Sequence, residues 1–332
     1  MTARHEGRRP LRVAFLGNAP WSVPSLEALA GAGHDVALVA TRAPKPAGRG
    51  GTPSPTPVAE AARGLGLPLA EVATVREGAG FDAIAAAGPE VVAVVAYGEI
   101  LPPPVLALAS IAPVNVHFSL LPRLRGAAPV QRAILNGVHE TGVTTIRMDE
   151  GMDTGPILLQ SSVPIDPADD TGSLGARLAF AGAGLLVQTL DRLGDGILTE
   201  RPQDRSLATL APKLSRDDEW IDWRQPREAT LRRIRALSPS PGAATRFRGR
   251  RLKVFRASAG GTVAPGPAAA PAKRRPAGEP GTIVPGAASG PPAAIAADGP
   301  VLLDEVQPEG RRRMSGEEFE RGYRPKPGEH LG

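Results

Sequence analysis

The stretch VVAVVA, Val91–Ala96, is apolar at every position. A strand that is covered on both faces has this pattern, because a half-exposed strand alternates apolar and polar side chains. Other apolar runs alternate along the chain with segments in which apolar residues return at helical spacing. We predict strands at 11–16, 35–40, 91–96, 113–118, 143–148 and 156–163, and helices at 25–32, 56–65, 81–87, 130–136 and 174–193. The alternation predicts an α/β fold with a doubly wound, mainly parallel sheet, whose ligands bind beyond the carboxyl ends of the strands.

After residue 195 the long apolar segments give way to short apolar runs separated by Pro and Gly. A length of 332 residues fits two domains. We predict an N-terminal tail at 1–10, a first domain at 11–195, a linker at 196–211 and a second domain at 212–325. Short apolar runs with frequent turns predict a small β-barrel in the second domain. Its last helix is predicted to start at Ser315, where Glu318 completes a capping box. A Pro/Ala/Gly-rich insertion at about 260–280 is predicted to be mobile.

The chain carries 39 Lys and Arg against 34 Asp and Glu, a formal net charge of +5, and it has no cysteine. The lack of cysteine excludes disulfides, a thiolate nucleophile and a Cys-ligated metal, and it fits the reducing cytoplasm. Residues 1–10 lack the apolar core of a secretory signal, and the most apolar run is too short to span a bilayer. A positive charge of this size is expected either for a protein with a polyanionic partner or for a generic Arg-rich surface. Charge alone leaves both interpretations open.

Two polar residues interrupt the apolar strand predicted at 113–118. Side chains alternate faces along a strand, so Asn115 and His117 point to one side and Val114 and Val116 to the other. Polar groups in an apolar strand cost free energy unless they are hydrogen-bonded. They either satisfy backbone groups of a neighbouring loop or form part of a site. We favour a site, because the pair lies at the carboxyl end of the strand and a Leu-Leu-Pro loop follows at once.

A second polar segment, residues 148–156, lies between two predicted strands. Gly151 and Gly155 allow the backbone to turn sharply and to approach a ligand closely. Asp153 in this loop could partner His117; the alternative is an Asp-rich turn without a function. The spacing does not supply the Glu that a calcium loop requires, so we expect no metal. The first strand–helix turn, residues 17–20, lacks the glycine pattern of a dinucleotide site.

Longer motifs surround these residues. They are NVHFSLLP at Asn115–Pro122, RGAAPVQ at 125–131, ETGVT at 140–144 and DTG at Asp153–Gly155. Together with AGRG at 47–50, VAYG at 95–98, KLS at 213–215 and IDW at 221–223, they resemble the methionyl-tRNA formyltransferase family over residues 11 to about 255. The Asn, His and Asp set alone marks the wider group of folate-dependent formyltransferases. The RGAAP, AGRG and IDW pieces are narrower.

The resemblance implies a cytoplasmic, monomeric enzyme that transfers a formyl group from 10-formyltetrahydrofolate to the α-amino group of methionyl initiator tRNA. It implies an OB-like barrel for the second domain. The catalytic residues would be Asn115, His117 and Asp153. The folate-binding residues would be Ser119, Leu120, Leu121 and Pro122, with Ile100 and Leu101 beside the pteridine. The tRNA-binding residues would be Arg49 above all, then Arg42, Lys45, Lys213, Arg246, Arg248, Arg250, Arg251 and Lys253.

The residue types suit this chemistry. When a neutral amine attacks a formyl carbon, negative charge develops on the formyl oxygen, and the Asn115 amide can donate to that oxygen. His117 can donate to the same oxygen or move a proton, since an imidazole titrates near neutral pH. Asp153 either orients His117 or takes the proton of the attacking amine through a water. The sequence leaves both roles open.

Three rival functions share part of this pattern. A folate-dependent formyltransferase acting on an amino sugar or a purine precursor would keep the same three residues, as would a hydrolase of formyltetrahydrofolate. A non-catalytic RNA-binding protein on this scaffold would require the three residues to be vestigial. The arginine-rich second half argues against the sugar and purine enzymes, because they do not need a surface for a nucleic-acid backbone.

Overall fold

The computed structural model describes residues 9–44, 53–260, 278–286 and 290–332. The described chain divides into two compact units. The first unit comprises residues up to 129 together with 139–165 and 174–212, and the second comprises 130–138, 166–173 and 213–332. The domain boundaries expected from the sequence stay a prediction.

The first unit is built on a seven-stranded sheet. Its strands are β1 (Arg12–Gly17), β2 (Asp35–Arg42), β3 (Leu69–Val72), β4 (Val91–Val95), β5 (Ala112–His117), β6 (Glu140–Arg147) and β7 (Ile157–Pro164). The strand order is β3-β2-β1-β4-β5-β6-β7, parallel from β3 to β5 and antiparallel from β5 to β7. The expected doubly wound, mainly parallel sheet is therefore confirmed.

The middle strand of this sheet shows why the apolar pattern predicted burial. All five residues of β4 are buried, with exposed fractions of 4% or less, so both faces of the strand are covered. The order of the chain reverses between β1 and β4, which lie side by side in the sheet. A crevice opens at the carboxyl ends of the strands where such a reversal occurs, and ligands of this fold class bind there.

Helices alternate with these strands. They are α1 (Val23–Gly31), α2 (Pro57–Gly64), α3 (Gly78–Ala87), α4 (Pro103–Leu106) and, mostly in this unit, α6 (Thr171–Gly194), while α5 (Pro129–Leu135) lies almost wholly in the second unit. The start of α2 is fixed locally, because Thr56 accepts a hydrogen bond from the Ala59 amide at 3.1 Å. Helix α6 is long and apolar enough to cross a membrane. However, 56% of its apolar 18-residue stretch is buried within the protein, as in the core helix of a globular protein.

Every strand and helix predicted up to residue 193 is confirmed, with its ends within three residues of the prediction. Strand β3 and helix α4 were not predicted. Strand β3 is only four residues long and every one of them is half-buried, so no apolar pattern marks it. Helix α4 is a single turn that begins with two prolines.

The second unit contains an antiparallel sheet. Its strands are β8 (Ala243–Phe247), β9 (Arg250–Ala259), β10 (Ile283–Val284), β11 (Ala293–Ala296), β12 (Gly299–Pro308) and β13 (Met314–Ser315), and its further helices are α7 (Arg227–Ala236) and α8 (Gly316–Tyr323). The order is β10-β11-β12-β9-β8, with β13 on β12.

The end of the chain joins the two edges of this sheet. Leu331 pairs with Phe247 at the end of β8, and His330 pairs with Thr282 beside β10. The Leu331 amide donates to Gly281 O at 2.8 Å, which continues the pairing on the β10 side. These contacts close the sheet into the expected barrel.

The core of the second unit, which includes residues of the barrel and of helices α7 and α8, is aliphatic and aromatic. Seventeen buried residues form one cluster, which includes Phe247, Val254, Leu303 and Phe319. The predicted start of α8 is confirmed, since Ser315 Oγ accepts from the Glu318 amide and the Glu318 carboxylate accepts from the Ser315 amide. Residues 261–277 of the predicted insertion lie outside the described residues.

Candidate active site

Strand β5 ends with two polar side chains that converge on one carboxylate. The Asn115 Nδ2 atom donates to Asp153 Oδ1 at 3.3 Å, and His117 Nδ1 lies 3.5 Å from Asp153 Oδ2. The His117 and Asp153 side chains are only 6% and 14% exposed. The shared face predicted from strand alternation is confirmed, and the loop after β6 supplies the carboxylate that completes the cluster.

The contact of the second His117 nitrogen determines which ring nitrogen carries the proton in the neutral imidazole. His117 Nε2 lies 2.9 Å from the backbone oxygen of Leu124. A carbonyl oxygen only accepts, so Nε2 carries a proton and donates it. When the imidazole is neutral, Nδ1 is therefore the unprotonated nitrogen, and it faces Asp153. Nδ1 and the Asp153 carboxylate thus face each other across 3.5 Å, and both can accept a proton.

Asp153 adopts a backbone conformation that non-glycine residues rarely take. Its φ is 56°, in the left-handed region. The Gly126 amide donates to Asp153 Oδ2 at 2.8 Å, which orients the carboxylate toward the other two residues. Gly155 is required two residues later, because a Cβ at that position would lie 1.8 Å from Arg147 O. The glycine of the DTG motif thus lets the loop return tightly against β6.

The segment Ser119–Pro122, proposed from resemblance to bind folate, is held by its neighbours. Ser119 Oγ donates to Arg123 O at 2.6 Å. Thr144 Oγ1 on β6 donates to Ser119 O at 2.7 Å and accepts from the Leu121 amide at 3.1 Å. Gln160 Nε2 on β7 donates to Leu121 O at 2.8 Å. A loop held at four points presents a fixed surface beside His117, with Leu121 buried and Leu120 and Pro122 half-buried.

The two residues expected beside the pteridine differ in exposure. Ile100 is 65% exposed, whereas Leu101 is 2% exposed and packs in a core cluster with Val105 and Leu106. Only Ile100 offers its side chain to a ligand. Leu101 anchors the segment after β4 in the core.

Asn18 is a residue whose role the sequence did not reveal. Its Nδ2 donates to Tyr97 O, and its Oδ1 accepts from Thr41 Oγ1 at 2.9 Å and from the Arg42 amide at 2.8 Å. One amide thus joins the carboxyl ends of β1, β2 and the loop after β4. The available signal was its position directly after β1, where the fold class places ligands.

Tyr97 belongs to the same edge of the sheet. Its side chain is buried, and burial, together with the Glu99 carboxylate and against the opposing effect of Arg42, raises the pKa of Tyr97 to about 12. The phenol is therefore neutral at any physiological pH. Its hydroxyl has no hydrogen-bond partner within the part of the chain that the structure describes.

The basic residues proposed to contact tRNA differ in their surroundings. Lys45 and Arg49 lie outside the described residues. A terminal guanidinium nitrogen of Arg42 lies 3.7 Å from Glu99 Oε1. Lys213, Arg246 and Arg250 are exposed, and the Arg246 guanidinium lies 5.1 Å from the Trp220 ring centre.

Three other basic residues of the barrel have partners within their own unit. Arg248 donates to both carboxylate oxygens of Glu329, at 2.8 and 3.0 Å. Arg251 forms an ion pair with Glu219, and Lys253 Nζ donates to Pro241 O at 2.7 Å. Lys213, Arg246 and Arg250, for which the described residues supply no carboxylate partner, are therefore better placed to meet a phosphate than these three. Among the described residues, no group of three or more His, Cys, Asp or Glu side chains is arranged to hold a metal ion.

The doubly wound sheet and its Asn–His–Asp cluster define the formyl transferase class, and comparison with known proteins agrees. The formyl transferase family model matches residues 11–190, and the model of the formyl transferase C-terminal domain matches residues 213–324. Within this class, the chain belongs to the methionyl-tRNA formyltransferase family.

Two relatives with that name cover nearly the whole chain. The methionyl-tRNA formyltransferase of Thermus thermophilus is 44% identical over 97% of this chain and 99% of its own length. That of Solibacter usitatus is 41% identical over the same shares. A crystal structure of HypX from Aquifex aeolicus in complex with tetrahydrofolic acid superposes with a TM-score of 0.62, covering 94% of this chain and 47% of that chain. Its identity of 15% supports the fold alone.

Proposed function

We propose that this protein transfers the formyl group of 10-formyltetrahydrofolate to the α-amino group of methionyl initiator tRNA. The observation that carries the proposal is the convergence of Asn115, His117 and Asp153 at the carboxyl end of β5. The near full-length similarity to methionyl-tRNA formyltransferases supports the choice of acceptor.

The cluster can promote direct transfer of the formyl group from the folate to the amine, with no covalent intermediate on the protein. The folate supplies an activated formyl carbon. Asn115 has two amide protons, and only one of them is directed to Asp153. The other can donate to the formyl oxygen as negative charge develops there, which is the stabilisation that acyl transfer needs most.

The His117–Asp153 pair receives the proton that the attacking amine releases. Because Nε2 is committed to Leu124 O, the proton enters at Nδ1 or at the carboxylate. Either group can accept this proton, so the pair acts together as the general base. The leaving group is a secondary amine of the folate, and the same pair can return a proton to it.

The remaining candidate residues divide into a group for the folate and a group for the tRNA. We infer that Ser119–Pro122 and Ile100 contact the folate, with Leu101 behind them. We infer that Arg49, Arg42 and Lys45 approach the acceptor end of the tRNA. We assign the exposed Lys213, Arg246 and Arg250 to its phosphate backbone, with lesser contributions from Arg248, Arg251 and Lys253. We further infer a monomeric, cytoplasmic enzyme without a membrane attachment, as the family resemblance implies.

The test is formyl transfer from 10-formyltetrahydrofolate with methionyl initiator tRNA and free methionine as parallel acceptors. Formylation of the charged tRNA alone is the expected result. Release of formate without any acceptor would identify a hydrolase. Formylation of a small amine in preference to the tRNA would move the protein to the sugar or purine branch.

A further inference from the structure

The segment that follows α6 braces both loops of the active site. Arg201 exchanges two backbone hydrogen bonds with Ile157 on β7, at 2.8 and 2.9 Å. Eight residues later, Thr209 O accepts from the Arg125 amide at 2.9 Å, and the Ala211 amide donates to Arg125 O at 2.7 Å. The sequence alone gave this stretch only the role of a linker. In the first unit it runs from the sheet edge near the Asp153 loop to the loop that follows β5.

Gln203 lies within this stretch, and its side chain contacts both loops. Its Nε2 donates to Asp153 O at 2.8 Å and to Gly155 O at 2.7 Å. Its Oε1 accepts from Arg125 Nε at 3.1 Å and from a terminal nitrogen of the same guanidinium at 2.6 Å. A primary amide offers two N–H donors and an oxygen with two lone pairs, so Gln203 is fully used.

The partners of Gln203 favour its amide over the side chains of Glu, Met and Asn. The two backbone oxygens only accept and the guanidinium only donates, so the amide orientation is determined. A Glu would place a carboxylate oxygen against two carbonyl oxygens, and a Met would leave both carbonyls and Arg125 without partners. An Asn is one methylene too short to span the same contacts.

These contacts hold Asp153, a residue whose backbone conformation needs support. A non-glycine residue in the left-handed region is maintained only where its surroundings determine the conformation. Gln203 binds the backbone oxygen of Asp153, whose φ is 56°. It also fixes Arg125, the neighbour of Gly126, and the Gly126 amide holds the Asp153 carboxylate at 2.8 Å. Gln203 therefore positions the Asp153 carboxylate in two ways: directly through the Asp153 backbone, and indirectly through Arg125 and the Gly126 amide.

We propose that Gln203 is a positioning residue for formyl transfer, which holds Asp153 in the orientation that His117 and Asn115 require. The proposal deepens the function proposed above and rests on it. Gln203 does not touch the reacting atoms. It acts on the rate of the chemical step through the placement of Asp153 rather than on the affinity for folate or tRNA.

The test compares Gln203→Met with Gln188→Met, which makes the same change at an exposed position of α6. For Gln203→Met we expect kcat to fall about 10- to 100-fold, as for other supporting residues displaced from a reacting group, with KM for both substrates little changed. Gln188→Met should behave as the parent. Equal kcat values in the two variants, or a raised KM with an unchanged kcat, would overturn the proposal.

Two further measurements keep the result clear. Gln203→Glu retains the acceptor for Arg125 but loses both donors, so it should show the same loss even if Gln203→Met folds poorly; parent-like turnover of Gln203→Glu would refute the role. Hydrogen exchange of peptides covering 148–156 should be faster in Gln203→Met than in the parent, and unchanged exchange would also refute it. This readout does not depend on the acceptor. A parent protein that fails to formylate charged tRNA would therefore count against the proposed function alone.

Discussion

Asp153 combines a left-handed backbone conformation with hydrogen bonds from Asn115, the Gly126 amide and Gln203, so a change of its side chain should be felt throughout the site. Asp153→Asn keeps the shape and can still accept through its oxygen, but it cannot hold the proton that the amine releases. We expect kcat to fall by about 10²- to 10⁴-fold, the range of a lost general base. Single-turnover formyl transfer measures this change.

Circular dichroism of the same variant should match the parent, because the two side chains have the same shape. Its melting temperature should fall by only a few degrees, since one oxygen that accepts from Asn115 or from the Gly126 amide becomes an amide donor. Turnover within a few-fold of the parent would remove Asp153 from the catalytic residues.

His34 is a buried titratable residue away from the catalytic cluster. Its Nδ1 accepts from the Leu11 amide at 3.2 Å, and its Nε2 lies 3.7 Å from Asp191. Burial lowers the pKa of His34, against the opposing charge of Asp191. Protonation of Nδ1 would also remove the acceptor of the Leu11 amide.

The sign of the resulting pH dependence follows from this lowered pKa. In the unfolded chain His34 binds a proton near pH 6.5, whereas in the folded chain it does so only at lower pH. The stability contributed by His34 is therefore full above the unfolded pKa and is lost as the pH falls through the folded pKa. Denaturant unfolding between about pH 5 and 8 should show a steeper loss in the parent than in His34→Gln, which still accepts from Leu11 but does not titrate. Parallel profiles would contradict this prediction.

The loop between β6 and β7 is an element whose path depends on a missing side chain. A Cβ at Gly155 would lie 1.8 Å from Arg147 O, so Gly155→Ala must displace backbone beside Asp153. We expect the free energy of unfolding to fall by about 1–3 kcal/mol, as for other overpacked sites, and turnover to fall with it.

Gly184 on α6 provides the matched comparison. A Cβ there meets no atom within 4 Å. Gly184→Ala should raise the free energy of unfolding by about 0.5–1 kcal/mol, because alanine loses less entropy in a helix. Denaturant titration of both variants is the measurement, and equal effects of the two substitutions would show that the contact with Arg147 does not constrain the loop.

Elements were predictable where their signal is local. The apolar run of β4 marks a doubly covered strand, and Ser315 with Glu318 marks the start of α8 through a capping box. Strand β3 escaped prediction because it lies at an edge of the sheet and each of its residues is only partly buried, so no apolar run marks it. Its position is set by pairing with β2, which no local pattern encodes.

The whole molecule carries a net charge of +5, and its exposed cations suit a phosphate backbone. We expect affinity for methionyl initiator tRNA to fall about tenfold or more between 50 and 200 mM salt, because binding releases counterions. Filter binding or fluorescence anisotropy across that range gives the slope.

Two arginine variants separate free cations from paired ones. Both arginines are exposed, but Arg248 donates to Glu329 at 2.8 and 3.0 Å, whereas Arg250 has no carboxylate partner among the described residues. Arg250→Ala should reduce the salt slope by about one phosphate contact, and Arg248→Ala should reduce it less. A flat salt dependence of the parent would contradict a role of the barrel in binding the backbone.

The sequence by itself determined the fold class, the shared face of Asn115 and His117, and the family. These follow from strand alternation, from runs of apolar residues and from motifs that are contiguous in the chain. The tertiary structure decided which distant residues meet. Asn115 and Asp153 are 38 positions apart, and Arg125 and Gln203 are 78 apart. Such contacts depend on the pairing of strands and the return of the chain after α6, so only the folded backbone brings the Gln203 amide to Asp153.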